Sequence, residues 1–414
     1  MESNNTRLSI NGERLLRRIK ELGQIGRDSK GKLTRLAASD NDKAGRDVAA
    51  AWMEEAGLKI AVDRIGNIFG IWSGPDNESQ APVMVGSHID TVINAGIYDG
   101  CYGVISGIEV IKALKDKGYV PSRPIAVAAF TNEEGVRYSP DMMGSLVYAG
   151  GLSVEEALAS IGTDGTVLGE ELRRIGYAGT EEPGFIQPHA YIELHIEQGP
   201  ILDSINIPIG AVQDLQGISW QKVTINGLAN HAGTTPISMR KDAGLAAARV
   251  ITFLRDRANK SNGTTVATVG CIEFKPNAVN VIPSSAVFTV DLRNPNEERL
   301  KSEEEAFSDY LKELETIEGV KIFTERLVRF EPVIFDGHIV ELVEDAADRR
   351  GLQFKRMSSG AGQDAQMIAR ICPSAMIFVP SVNGISHNPE EFTSEPDLIA
   401  GANVLLDVVT KLAE

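Results

Sequence analysis

Three short stretches constrain the fold of this chain more than any other feature. "PVMV" (82–85), "PIAVAAF" (124–130) and "SAMIFV" (374–379) carry almost no polar side chain. A strand with one wet face alternates polar and apolar residues, so an unbroken apolar run signals a strand covered on both faces. Helical patterns separate these runs. "YGVISGIEVIKALKDKG" (102–118) reads as a helix ending at Gly118, and "IVELVEDAADRRG" (339–351) as another. Upstream, "GERLLRRIKEL" places Leu15, Leu16, Ile19 and Leu22 on one helical face. "AGRDVAAAWMEEAG" reads as a helix closed by Gly57, and "LKIAVD" and "GNIFGIW" as strands. Buried strands alternating with helices predict an α/β domain with a mixed, mostly parallel sheet and flanking helices.

The pattern changes near residue 215. "ISWQKVTINGL" alternates as a half-exposed strand does, and "RKDAGLAAARVITFLRDRA" is a long helix. "TTVATVGCIEF" and "SAVFTVDLR" are strands, "NEERLKSEEEAFSDYLKELET" is a charged helix, and "VKIFTERL" is a last strand. That order, β-α-β-β-α-β, is ferredoxin-like. The reading is an α/β domain (1–214 and 332–414) interrupted by an inserted α+β domain (215–331). A chain of 414 residues is too long for one comfortable core, which agrees with two domains.

Composition narrows the partners. The formal charge of −16 argues against nucleic acid, which needs a basic footprint. The N-terminal stretch "MESNNTRLSINGERLLRRIK" has no apolar core or cleavage site of a signal peptide, and no apolar stretch is long enough to span a bilayer. The three cysteines, Cys101, Cys271 and Cys372, form no CxxC spacing. A cytoplasmic setting is expected.

Function is sought where open α/β sheets bind ligands, beyond the carboxyl ends of the strands. His88 follows "PVMVGS", Glu133 and Glu134 follow "PIAVAAFTN", His195 lies in "AYIELHIEQGP", and His387 follows "AMIFVPSVNGIS". Asp99 sits in the loop opening the next helix. Each has an ordinary alternative when taken alone. A lone histidine at a strand end is usually a hydrogen-bonded loop residue, a Glu-Glu pair is usually solvated, and Asp-Gly is a turn signal. Together they form a mixed nitrogen and oxygen set suited to Zn²⁺, Mn²⁺, Co²⁺ or Ni²⁺. Five ligands exceed one open catalytic zinc and suit two ions sharing a carboxylate, which can hold a hydroxide between them. Asp90, two residues after His88, could accept the other imidazole N–H. One glutamate of the pair could bind metal while the other serves as general base.

"GSHIDTV", "YDG", "TNEEG", "ELHIEQGP", "HAGTTP", "NVIP", "DLR", "SGAGQDA" and "GISHNPEEF" resemble, in order and over nearly the whole chain, the hydantoinase/carbamoylase amidohydrolases of the M20 peptidase-like superfamily. The resemblance implies a zinc-peptidase-like catalytic domain and an insert serving as lid and dimerisation domain. It implies that His88, Asp99, Glu134, His195 and His387 hold two divalent metals, that Asp99 bridges them, and that Glu133 is the base. His231, Asn280 and Arg293 of the insert would reach the substrate, with Gln198 near the carbamoyl group and Gly360 and Ala361 beside it. Gln363 stands where the family commonly has histidine. The implied reaction is hydrolysis of an N-carbamoyl-L-amino acid by a cytoplasmic homodimer. Allantoate, ureidoglycolate and β-ureidopropionate present the same ureido and carboxylate groups. An aminopeptidase or dipeptidase on the same fold and a silent metal-binding scaffold are the more distant readings.

Overall fold

The computed structural model describes residues 7–74 and 76–414. Asp214–Ile334 forms one compact unit, and the chain before and after it forms the other.

The larger unit begins with β1 (Lys59–Val62), β2 (Ile68–Trp72), β3 (Val83–His88), β4 (Ile125–Phe130), β5 (Ala190–Ile196) and β6 (Ile209–Leu215). The smaller unit contributes β7 (Gly217–Asn226), β8 (Val266–Thr268), β9 (Ile272–Lys275), β10 (Ser285–Asn294), β11 (Lys321–Phe330) and β12 (Val333–Ile334). The larger unit then resumes with β13 (Phe354–Ser359) and β14 (Ser374–Val379).

The large sheet runs β1-β2-β4-β3-β5-β14-β6, with β13 also on β6. It is mixed, as expected, and its four central strands β4-β3-β5-β14 are parallel. The β1–β2, β2–β4 and β14–β6 pairings are antiparallel. Local chemistry explains the first of these. The Asp63 carboxylate accepts from the N–H groups of Ile65 (3.2 Å) and Asn67 (2.9 Å) and from the Asn67 side chain (2.8 Å). A turn that tight can join only antiparallel strands. The central strands β3, β4, β5 and β14 are buried at every position, as the apolar runs of β3, β4 and β14 require, and β5 buries Glu193 and His195 as well.

The helix Cys101–Asp116 packs on β3, β4 and β5 and against the helices Gly12–Leu22 and Glu395–Leu412. It is apolar on nearly all sides because it is covered on nearly all sides. Its buried acid, Glu109, is matched by Arg14, with Nε 2.6 Å from Oε2 and Nη2 2.8 Å from Oε1.

In the smaller unit the order is β11-β7-β10-β8, with β9 also on β10, and every pairing is antiparallel. The single strand expected over "TTVATVGCIEF" is split into β8 and β9. Burial along β10 alternates strictly, and the buried positions Phe288, Val290 and Leu292 meet Val250 and Phe307 from the helices Ala243–Lys260 and Glu297–Glu318. One face is covered by helices and the other is left open, giving the β-α-β-β-α-β arrangement. β12 pairs with Leu215 and Asp214, so entry and exit of this unit lie side by side, as an insertion needs.

No helix among the described residues is long and apolar enough to cross a membrane. Cys101 and Cys372 are buried free thiols, and Cys271 is exposed.

Phe130, the last residue of β4, is fully buried and meets Phe69, Tyr148 and Tyr191 at ring-centroid distances of 6.3, 6.1 and 6.1 Å. Phe130→Ala is expected to lower the unfolding free energy of the larger unit by about 3–5 kcal/mol. A denaturant titration checks this, and a loss under ~1 kcal/mol would show that the central sheet does not depend on this cluster.

Candidate metal centre

The four central strands are parallel, so their carboxyl ends lie along one edge, and each delivers a polar group there. β3 ends in His88, β5 has His195 as its penultimate residue, β4 is followed by Glu133 and Glu134, and β14 by the loop carrying His387. Asp99 comes from the loop between β3 and the helix Cys101–Asp116. Gly100, at φ +63°, lets that loop turn back, and a Cβ there would lie 2.4 Å from the His88 ring. Only a residue without a side chain allows Asp99 and His88 to meet.

Asp99 is the common member of two donor groups, His88–Asp99–His195 and Asp99–Glu134–His387. Its Oδ1 is 3.1 Å from His195 Nε2 and 3.7 Å from His88 Nε2, while Oδ2 is 3.2 Å from His387 Nε2. Glu134 Oε2 lies 3.5 Å from His387 Nε2, and Glu133 Oε2 lies 3.3 Å from His88 Nε2. His88 and His195 are buried, whereas the His387 side chain is 52% exposed.

Hydrogen bonding fixes which ring nitrogen is free. His88 Nδ1 faces the Asp90 carbonyl oxygen at 3.0 Å, and His195 Nδ1 faces the Ile196 carbonyl oxygen at 2.8 Å. A carbonyl only accepts, so Nδ1 of each ring carries the proton, and a neutral ring then offers a lone pair at Nε2. His195 Nε2 accepts from the Gly100 N–H at 3.1 Å, in agreement. His88 Nε2 is buried with no hydrogen-bond partner. When both rings are neutral, their Nε2 lone pairs face the carboxylate oxygen of Asp99, an arrangement that is repulsive until a proton or a metal cation lies between them. The donor set fits a divalent metal, and both rings have the carbonyl contact typical of ligating histidines.

The titration behaviour expresses the same need for positive charge. Burial acts to raise the Asp99 carboxyl, but hydrogen bonds to protonated His195 and His387, with the His88 ring close by, prevail and hold it well below the carboxylate range. Burial pushes Glu133 well above its usual value, opposed by His88 and reinforced by Asp364, Glu134 and Asp99. Burial and the Asp99 charge push Glu134 up to about 8. The hydrogen bond to Asp99 raises His387 to about 9.

Asp90 acts differently from the expectation. Its carboxylate is 3.9 Å from His88 Nδ1, and it is the main-chain carbonyl that meets the ring. The carboxylate instead accepts from the N–H groups of Glu133 and Glu134, both at 3.3 Å, and so fixes the turn that presents them. A residue extended from β3 can bring its carbonyl closer to the ring than its own side chain, and spacing alone did not distinguish the two. Gln198 donates from Nε2 to Asp99 Oδ2 at 2.9 Å and lies 3.3 Å from His387 Nε2. Gly360 and Ala361 occupy a turn closed by Ser359 Oγ, which accepts from the Ala361 N–H at 3.3 Å.

Three expected residues belong to the smaller unit. His231 is exposed, and its Nδ1 accepts from the N–H groups of Gly233 (3.0 Å) and Thr234 (3.2 Å), which leaves Nε2 as donor. Asn280 is brought beside it, because the Ala232 N–H donates to the Asn280 carbonyl at 2.9 Å. Arg293 on β10 is half-buried and holds Asp291, with Nη2 2.9 Å from Oδ2.

Sequence reasoning missed Glu391 and Glu193. Glu391 Oε1 accepts from the N–H groups of Tyr98 (3.1 Å) and Asp99 (3.2 Å), and its Oε2 accepts from Ser386 Oγ (3.0 Å), tying the His387 loop to the Asp99 loop. Glu193 lies fully buried beneath the centre and accepts from Ser87 Oγ at 2.6 Å and the Ala365 N–H at 2.7 Å. Glu193 had a signal: it is two residues from His195 on a strand expected to be buried, so both point to one face. Glu391 stood in "GISHNPEEF", four residues after His387, but its contacts with Tyr98 and Asp99 are remote in sequence.

The fold and the centre define an α/β protein that gathers carboxylates and imidazoles around a shared aspartate at the parallel strand ends. The profile of peptidase family M20/M25/M40 matches residues 84–411, and the chain belongs to that family. The N-carbamoyl-L-amino-acid amidohydrolase of Rhizobium meliloti is 40% identical over 98% of this chain and 97% of its own. A crystal structure of a hydantoinase/carbamoylase family amidase from Burkholderia multivorans superposes with a TM-score of 0.95 at 42% identity, covering 98% of both chains. The ureidoglycolate hydrolase of Arabidopsis thaliana is 34% identical over 98% of this chain and 87% of its own, and the allantoate amidohydrolase of Bacillus subtilis 33% over 95% and 96%. Within family M20/M25/M40 the chain is a hydantoinase/carbamoylase amidohydrolase, a hydrolase of carbon–nitrogen bonds other than peptide bonds.

Metal uptake should be proton-linked. Without a metal ion His387 keeps its proton up to about 9 and Glu134 up to about 8, and a divalent cation held by both would have to displace these protons. Affinity for Zn²⁺ or Mn²⁺ is therefore expected to rise with pH toward ~9 and to fall about tenfold per pH unit, per displaced proton, below that. Chelator competition from pH ~6 to ~9 checks it, and a flat profile would remove these two residues as ligands.

Proposed function

We propose that this chain is a metal-dependent amidohydrolase that cleaves the carbamoyl C–N bond of an N-carbamoyl-L-amino acid, yielding the amino acid, ammonia and carbon dioxide. The observation that carries this reading is the position of Asp99 between two donor groups, with Glu133 beside one of them. His88, Asp99 and His195 would hold one divalent ion, and Asp99, Glu134 and His387 a second. The mixed nitrogen and oxygen donors suit Zn²⁺, Mn²⁺, Co²⁺ or Ni²⁺. Ions held there supply Lewis acidity, polarising the ureido oxygen and lowering the pKa of water.

The chain's own residues do the rest. Glu133 takes the proton of the attacking water and returns it to the leaving nitrogen, which would otherwise depart as a poor anion. The Asp90 carboxylate holds the Glu133 and Glu134 backbone in place for this. His231, donor at Nε2, stabilises the developing oxyanion. Arg293 grips the substrate carboxylate with its planar fork, exchanging Asp291 for the ligand, and Asn280 adds an amide donor. Gln198 contacts the carbamoyl group, and Gly360 and Ala361 line the substrate. The smaller unit serves as lid and as the contact of a cytoplasmic homodimer.

A second reading keeps the chemistry and changes the substrate. The ureidoglycolate and allantoate relatives align over nearly the full chain at only slightly lower identity. Both substrate classes join a ureido group to a carboxylate, so the metal centre does not discriminate them.

Glu133→Gln is expected to retain its metal content while kcat falls by about 10²–10⁴-fold. Elemental analysis and steady-state kinetics check this, and near-normal turnover would remove Glu133 as the base. Ammonia release from N-carbamoyl-L-amino acids, allantoate, ureidoglycolate, β-ureidopropionate and dipeptides tests the substrate. The highest kcat/KM is expected for an N-carbamoyl-L-amino acid. Preference for allantoate or ureidoglycolate would select the second reading, and inertness toward every ureido compound in Mn²⁺, Co²⁺ or Zn²⁺ would overturn the proposal.

A further inference from the structure

A chain of side-chain amides leads away from the shared aspartate. Gln198 Nε2 donates to Asp99 Oδ2 at 2.9 Å, and Gln363 Nε2 donates to Gln198 Oε1 at 2.6 Å. Gln363 opens the helix Asp364–Ile368 and is only 2% exposed. The two ends of a carboxamide are almost the same shape but opposite in hydrogen-bonding sense. Asp99, as a carboxylate, only accepts, so the Gln198 atom facing it must be the NH₂ group. The Gln198 oxygen then faces Gln363, which must supply an NH₂ group of its own. The sense of the whole relay thus follows from Asp99.

The Gln198 backbone is also held in an uncommon state. Its φ is +56°, in the left-handed region that costs a residue with a side chain, and its N–H donates to Ser381 Oγ at 2.9 Å. Fixing the backbone in this way sets where the side chain starts, but not which end of its amide points at the centre. That second choice is set by the Asp99 carboxylate, which repels an amide oxygen, and Gln363 reinforces it by donating to the oxygen that points away.

We infer that Gln363 is a positioning residue that acts through Gln198, helping to hold its carboxamide with the NH₂ group toward Asp99 and the oxygen away from it. Asp99 is thereby held with one oxygen toward each donor group, so Gln363 contributes to the affinity of the centre without touching it. The inference deepens the two-ion reading above and rests on it.

The test uses the full chain, stripped of metal and titrated with Mn²⁺ or Zn²⁺ against a chelating indicator, for the wild type, Gln363→Leu, Gln198→Leu, the double variant and Gln363→His. Gln198→Leu is expected to weaken binding about 10–100-fold, and Gln363→Leu about 10-fold. The double variant should be no weaker than Gln198→Leu alone, because the Gln363 effect passes through Gln198. Gln363→His, whose ring N–H can still donate to the Gln198 oxygen, should stay within about threefold of wild type. Thermal unfolding of the metal-free proteins separates positioning from packing. Additive losses in the double variant, an unchanged Gln363→Leu, or equal losses in the Leu and His variants alongside lowered melting temperatures would each overturn the inference. Wild-type protein that takes up no divalent ion would overturn the two-ion reading as well. Normal uptake without coupling would overturn this inference alone.

Discussion

The interaction on which this structure turns is the approach of three imidazoles to the two oxygens of Asp99. Two of those rings are oriented by main-chain carbonyls at Nδ1 so that their Nε2 atoms face a carboxylate, and in the neutral rings those atoms carry lone pairs. Lone pair against anion is unfavourable in a buried, weakly polarisable setting. Glu133, Glu134, Glu193 and Asp364 add further buried carboxyls, each pushed up by its burial. Added positive charge relieves the cluster, and a divalent ion held by this donor set would supply it.

The fold provides the rigidity that such a cluster needs. Four parallel strands, buried on both faces, bring three ligand-bearing segments and the glutamate pair to one edge. The loops beyond them are fixed by polar contacts rather than by apolar packing. Asp90 anchors the Glu133–Glu134 turn, Glu391 joins the Asp99 loop to the His387 loop, and Gly100 gives the His88 ring the space a Cβ would fill. Gln198 and His387, which face Asp99 Oδ2 together, both have positive φ, at +56° and +53°. Strained backbone beside the reacting centre is the usual cost of placing side chains where regular structure would not carry them.

Much of this was legible in the chain. Apolar runs marked the central strands because burial on both faces excludes polar residues, and the antiparallel insert showed in its alternating pattern. His88, Asp99, Glu134, His195 and His387 stood out because ligand-type residues followed those runs. Other features were hidden. The antiparallel margins of the sheet depend on turn geometry and strand order, which apolar runs do not encode. The split of "TTVATVGCIEF" into β8 and β9 arises from how each part registers against β10. The role of Glu391 was hidden because the backbone it holds, at Tyr98 and Asp99, lies almost 300 positions away.

By itself the sequence determined the strand and helix periodicities, the kinds of side chain at the strand ends, and the family to which they belong. These are local properties, set by which residues tolerate burial and which cannot be buried without a partner. Only the tertiary structure decided that Asp99 is the member common to both donor groups, that Asp90 serves His88 through its carbonyl, and that Gln363 reaches Asp99 through Gln198. Hydrogen-bond direction depends on which donor meets which acceptor in space. Residues far apart in the chain become neighbours only after the parallel strands have aligned their ends.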